Sequence, residues 1–116
     1  MPTAPSTSLQ VGDVVWVPFP FVEQARMRAR PALIVSAHPG GSQLLWALMI
    51  TSAANARWPG DVCLETNYLE SGLPIASVIR TIKISAVEAV TARKIGVLPP
   101  ERLAEVLAKV ATHLGL

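Results

Sequence analysis

Cysteine, aromatic residues and charge are all scarce in this 116-residue chain, and each shortage narrows what it can do. One cysteine, Cys63, cannot form an internal disulfide, and no Cys/His grouping has zinc-site spacing, which suits a reducing cytoplasm. Aromatics make up only 5% of the chain, too few for a broad base-stacking face. Charged residues are 16% and the net charge is +2, too weak a balance to declare a nucleic-acid partner by itself. No apolar run reaches the roughly 18 residues of a spanning helix; the longest, Leu44 to Thr51, is strand-sized, so no membrane role is expected. Met1 to Gln10 is rich in Pro, Ser and Thr without a basic or apolar region, and reads as a flexible tail rather than a signal peptide. Gly40-Gly41 lacks the Lys-Ser/Thr and helix that a phosphate loop requires.

What the chain has in quantity is apolar residues, at 51%, enough for one real core. Residues 11–116 read as a single domain. Strand signals follow one another at short intervals: Asp13 to Phe19, Pro31 to Ser36, Leu44 to Thr51, Asp61 to Glu65, Ser77 to Lys83 and Ile84 to Val90. Pro18 and Pro20 cannot donate to a ladder and place the end of the first strand at an edge or bulge. Phe21 to Ala29 reads as a loop, Pro39-Gly40-Gly41-Ser42 and Pro59-Gly60 as turns, and Ser52 to Trp58 fits either a helical turn or a loop. The third strand is apolar on both faces and is expected to be covered on both, with Trp16 and Trp46 in the core.

The last segment changes period. Pro99 and Pro100 open it, and Leu103, Val106, Leu107, Val110 and Leu114 recur as one helical face, with Glu105 and Lys109 spaced to pair. The expected architecture is mainly β with a C-terminal helix: a small antiparallel barrel.

Conventional catalytic groups are missing. Nothing brings His38 and His113 into one cleft, and both are expected at the surface; Cys63 is expected in the core. What remains is a basic first loop, Arg26, Arg28 and Arg30, holding three of the ten Lys and Arg residues, and a hydroxyl pair, Thr51 and Ser52, at a strand end. Pro31 biases Arg30 toward an extended backbone at the head of the second strand. Cleavage of a phosphodiester by its own 2′-hydroxyl needs charge stabilised on the phosphorane. Arginine supplies a bidentate phosphate clamp, and threonine a hydroxyl donor. The same residues also fit a solvated charged loop, an Arg30 paired with a surface acid and an ordinary strand threonine; composition and spacing leave both readings open.

A series of segments nevertheless resembles the MazF/PemK toxin family in order and spacing. Gly12 to Phe21 resembles the family's opening strand, and Arg28-Ala29-Arg30-Pro31-Ala32-Leu33-Ile34-Val35-Ser36 its basic, Arg-Pro, apolar-strand segment. Met49-Ile50-Thr51-Ser52 is similar to its Ile-Thr-Ser strand end, and Gly72-Leu73-Pro74 with Ser77-Val78-Ile79-Arg80-Thr81 to its late Gly-Leu-Pro … Ser-Val-Val-Arg segment. Ile95 to Leu98 then leads into the terminal helix, so the resemblance spans roughly residues 11–114. It implies an SH3-like barrel, a homodimer, and metal-independent cleavage of single-stranded mRNA at short sequences with no cofactor. It also implies a cognate antitoxin whose disordered segment would block the site, with DNA met only indirectly through that antitoxin. By the same resemblance Arg30 and Thr51 are the catalytic pair, and Arg28, Arg26, Ser52, Glu23 and Arg80 are RNA-binding candidates, Arg80 equally fitting a brace for the barrel.

This chain departs from the family pattern in the first loop, where Val22 to Met27 has no Gly or Ser before the basic residues, and at Ala76, where proline is frequent. The loop bears on RNA preference. Two rival readings remain: a non-enzymatic toxin of the same fold that binds DNA gyrase, as CcdB-type toxins do, and an inactive RNA-binding barrel. Of the tryptophans, Trp58 in its loop is the best stacking candidate, or else a contact at the rim of a dimer.

Overall fold

A computed structural model describes residues 8–20 and 27–116. Its elements are β1 (Asp13–Pro20), β2 (Met27–Ala37), β3 (Leu44–Ser52), β4 (Val62–Leu64), β5 (Ser77–Glu88), β6 (Arg93–Val97) and a single helix α1 (Pro100–His113). The strands form one antiparallel sheet in the order β4-β5-β3-β2-β1-β6, curled into a half-barrel. The expected β class, barrel and C-terminal helix are all present.

The apolar runs on both faces of the strands have their explanation in two cores. On one face Val15, Val17 and Phe19 of β1 meet Ala32 and Ile34 of β2, Leu45, Ala47 and Met49 of β3 and Val87 of β5. On the other, Val14, Leu33, Leu48, Ile50 and Ile79 are covered by Leu73, Leu98 and Val106 of α1. Successive residues of a strand point to opposite faces, so neighbours such as Ala32 and Leu33 serve different cores. Trp46 breaks this pattern. It lies 46% exposed and Trp16 39%, so neither is the core residue expected.

Three boundaries differ from those expected. β2 begins at Met27, so Met27 to Ala29 belong to a strand paired with β1 through Phe19↔Arg28 and Pro18↔Ala29. The two strands expected between Ser77 and Val90 are one long β5. It pairs with β3 at both ends, through Ile50↔Ile79 and Leu48↔Ile84, and in between four residues, Arg80 to Lys83, face the single Met49. Such a bulge bends a strand, and here it lets one strand follow the curl of the sheet. β6 did not register as a strand in the sequence; it pairs with β1 only from Asp13 to Trp16, leaving the Pro18 end of that edge uncovered, where proline is tolerated.

Helix α1 starts behind Pro99 as expected, and buries Val106 fully with Leu103 and Val110 packed beside it. Leu114 falls just past its end and is 67% exposed, and Glu105 pairs with Arg102 at 2.7 Å rather than with Lys109. His113, exposed as expected, still bonds Thr81 of β5 through Nε2 at 3.0 Å. Cys63 is half-buried, not core. Of the expected tail, residues 1–7 lie outside the described residues. Leu9 packs on the first core, and Gln10 N–H donates to Asp13 at 2.9 Å.

Candidate nucleic-acid cleavage groove

Arg30 lies two residues before Ala32 on β2, and Thr51 two residues after that residue's partner Met49 on β3. Both side chains line a groove of about 290 Å³. Its walls come from three places. Trp16 and Pro31 are cross-strand partners on β1 and β2. Ile50, Thr51 and Ser52 come from the end of β3, and Leu73, Pro74 and Ile75 from the loop before β5, with Ser77 at the start of that strand.

Local sequence explains each placement. Arg30 sits in the extended stretch that Pro31 enforces, paired with Val17. The Gly72-Leu73-Pro74 segment reaches the groove because Gly72, at φ +81°, packs against the backbone of β6; a Cβ there would lie 2.0 Å from the Ile95 carbonyl oxygen. Ser77 Oγ donates to the Ile75 carbonyl at 2.8 Å and fixes the tip of that segment.

Arg30 is half-buried, with Nη1 3.6 Å from Met49 Sδ. Burial holds its pKa below the ordinary arginine value, and the like charge of Arg28, two residues along the same side of β2, adds to the effect. Arginine stays a cation under such shifts, so the groove has a fixed positive charge whose solvation is incomplete, which favours an anion. Thr51 Oγ1 accepts a hydrogen bond from Asn55 Nδ2 at 2.8 Å, and Ser52 Oγ accepts one from Ala54 N at 3.1 Å. No histidine or carboxylate lines the groove among the described residues. Nor, among them, do three or more His, Cys, Asp or Glu side chains gather where a metal ion would be held. The arrangement can clamp a phosphodiester between a guanidinium and hydroxyls, with an indole at hand for a base.

The remaining candidates divide. Arg28 is exposed on β2, close enough to Arg30 to act on it, but does not line the groove. Arg80 is 3% exposed and is not among the groove's lining residues: its Nη1 is 2.8 Å from Asp61 Oδ2, its Nη2 donates to the Ala56 carbonyl, and its guanidinium lies 4.3 Å from the Trp58 ring centre. Those are the surroundings of a brace, and they cover one face of Trp58. Glu23 and Arg26 lie outside the described residues. Trp16 and Asn55 are the residues that sequence reasoning missed. Alternation along β1 could have found Trp16, since it faces away from Val15 and Val17; nothing in the sequence singles out Asn55.

A larger hollow of about 590 Å³, lined among others by Leu9, His38, Arg93 and Lys94, holds none of the expected site residues.

A family model described as PemK-like, MazF-like toxin of type II toxin–antitoxin system matches residues 10–114. Among solved structures, MazF from Deinococcus radiodurans superposes with a TM-score of 0.72 at 26% identity, covering 93% of this chain and 97% of that one. A MazE–MazF structure from the same organism gives 0.72 at 27%, with the same coverage. An endoribonuclease in complex with its cognate antitoxin from a mycobacterial species gives 0.68 at 19% identity over 93% of this chain and 97% of that chain, a likeness of fold. A comparison with curated proteins gives no match.

Proposed function

Because the chain belongs to the PemK-like, MazF-like toxin family of type II toxin–antitoxin systems, we propose that it is an endoribonuclease toxin that cuts single-stranded mRNA at short sequences in the cytoplasm without a metal ion. The observation that carries this reading is the meeting of Arg30 and Thr51 in one groove that a gyrase-binding toxin would have no need of.

In the proposed reaction the RNA lies across the groove with its scissile phosphate at Arg30 and a neighbouring base near Trp16. The 2′-oxygen attacks phosphorus, forming a P–O2′ bond as the P–O5′ bond breaks, to give a 2′,3′-cyclic phosphate and a 5′-hydroxyl. The proton lost from the 2′-hydroxyl passes to water, and the departing 5′-oxygen takes one from water. Arg30 stabilises the charge that builds on the phosphorane, and Thr51 donates to a non-bridging oxygen. Arg28 and Arg26 would meet flanking phosphates, and Ser52 the sugar or base beside them; Glu23, at the loop, would bear on sequence preference. No step calls for an acid–base pair, which agrees with a groove lined by neither histidine nor carboxylate among the described residues.

The likeness to a MazE–MazF structure supports a cognate antitoxin as partner; on this reading a disordered segment of that antitoxin would block the groove. Trp46, Ile82 and Ile84, exposed by 46%, 46% and 48% on neighbouring strands, support association of two copies.

Incubation with a long mRNA followed by mapping of the fragment ends tests the reading. It predicts 5′-hydroxyl ends at one recurring short sequence; ends scattered without sequence preference, or intact RNA, contradict it.

A further inference from the structure

The end of β3 folds back on itself in a tight turn. Ser52 O accepts from the Asn55 N–H at 3.1 Å and Ser52 Oγ from the Ala54 N–H at 3.1 Å, a serine turn of the kind that hydroxyl side chains form with backbone two residues on. Neighbours tie it down: Ala53 N–H donates to the Ala76 carbonyl at 3.0 Å, and Arg57 Nη1 donates to the Ala53 carbonyl at 2.8 Å. The outcome is that the side chain of Asn55 returns to the strand it left, and its Nδ2 donates to Thr51 Oγ1 at 2.8 Å.

A threonine hydroxyl has one proton to give and two lone pairs to accept with. The amide of Asn55 occupies a lone pair and, being a donor, cannot receive the proton. It therefore leaves the Thr51 O–H to be directed elsewhere, and polarises it as one hydrogen bond in a chain strengthens the next. The groove is open beside it, with the Arg30 guanidinium on the facing strand to bring an anion there.

We propose that Asn55 is a positioning residue: by donating to Thr51 Oγ1 it fixes the hydroxyl as a hydrogen-bond donor toward the phosphate in the groove. This rests on the reading of Thr51 as a phosphate donor. It goes beyond that reading in assigning the orientation of the hydroxyl to a side chain in the following loop. Asn55 makes no step of the reaction itself; it acts through Thr51.

The competing account is that Asn55 only supports the turn. Asparagine and aspartate serve turns about equally well, so Asn55→Asp separates the two. An ionised carboxylate has no proton to give and would draw the Thr51 proton to itself. The experiment measures kcat and KM on an RNA oligonucleotide for Asn55→Ala and Asn55→Asp, each in the natural chain and in a Thr51→Val background, with thermal melting of every variant. The expected result is a kcat lowered roughly fivefold by Asn55→Ala, the worth of one hydrogen bond, and further by Asn55→Asp, with KM and melting little changed. In the Thr51→Val background both substitutions should lose their effect, because coupled residues are not additive. A natural kcat in Asn55→Asp, or losses that persist undiminished without the Thr51 hydroxyl, would overturn the proposal while leaving Thr51 its role. Full activity in Thr51→Val alone would overturn both.

Discussion

At Arg30 two influences act in one direction: partial burial strips water from the guanidinium, and Arg28 repels it. A cation held this way interacts more strongly with a phosphate than one free in solvent, because less water must be displaced when the anion arrives. Thr51 contributes on a smaller scale. Replacing it by valine keeps the shape of the strand end and removes only the hydroxyl. A hydrogen bond to a charged group contributes about 1.5–3 kcal/mol, so Thr51→Val should slow single-turnover cleavage about 10- to 150-fold. Unchanged cleavage would remove Thr51 from the chemistry. Both residues were legible in the sequence only through their motifs, since an arginine before a proline and a threonine at a strand end are common. Their meeting depends on how β2 and β3 pair, which neither motif specifies by itself. Trp16 and Trp46 were misjudged for a related reason: their place in apolar strands argued for burial, yet each occupies a strand position that is left exposed.

Among the elements, β5 shows most clearly what sequence withholds. The sequence suggests two strands divided after Lys83, whereas the chain continues through a bulge that turns Arg80 and Thr81 into buried polar positions. The bulge is stabilised by contacts from far along the chain. Asp61 faces Arg80, with side chains 3% and 4% exposed, and also accepts from Trp58 N–H at 2.9 Å; Thr81 donates to the Gly60 carbonyl at 2.7 Å. Removing one partner of a buried ion pair strands the other, at a cost of about 3–5 kcal/mol. Asp61→Ala should therefore lower the free energy of unfolding in urea by about that much, and a loss below 1 kcal/mol would show that the pair does not brace the loop. β6 escaped notice because its five residues include two basic side chains and Gly96, a poor strand composition. It is held instead by pairing with β1 and by close backbone contact: a Cβ on Gly96 would sit 2.1 Å from the Ser71 carbonyl oxygen. By contrast α1 and the first three strands were readable, because proline at a helix start and long apolar runs are signals that need no distant partner.

For the whole molecule, a net charge of +2 makes distribution matter more than amount. If Arg26, Arg28 and Arg30 each neutralise one phosphate, the logarithm of RNA affinity should fall with the logarithm of salt at a slope of about −2, since single strands give roughly −0.7 per contact. Titration of a catalytically inert variant with a labelled oligonucleotide at several salt concentrations measures it; a slope near zero would mean that stacking, not phosphate contact, holds the RNA. The half-barrel places Arg30 of β2, the hydroxyl end of β3 and the loop before β5 around one groove, although they are far apart in the chain. The claim that this groove is a metal-independent ribonuclease centre is tested most directly by single-stranded RNA cleavage in excess EDTA, with the natural chain and Arg30→Ala side by side. The natural chain should cut fully in EDTA, and Arg30→Ala should lose at least about a hundredfold in rate while melting at an unchanged temperature. Full cleavage by a folded Arg30→Ala, or cleavage by the natural chain only after metal is added back, would contradict it.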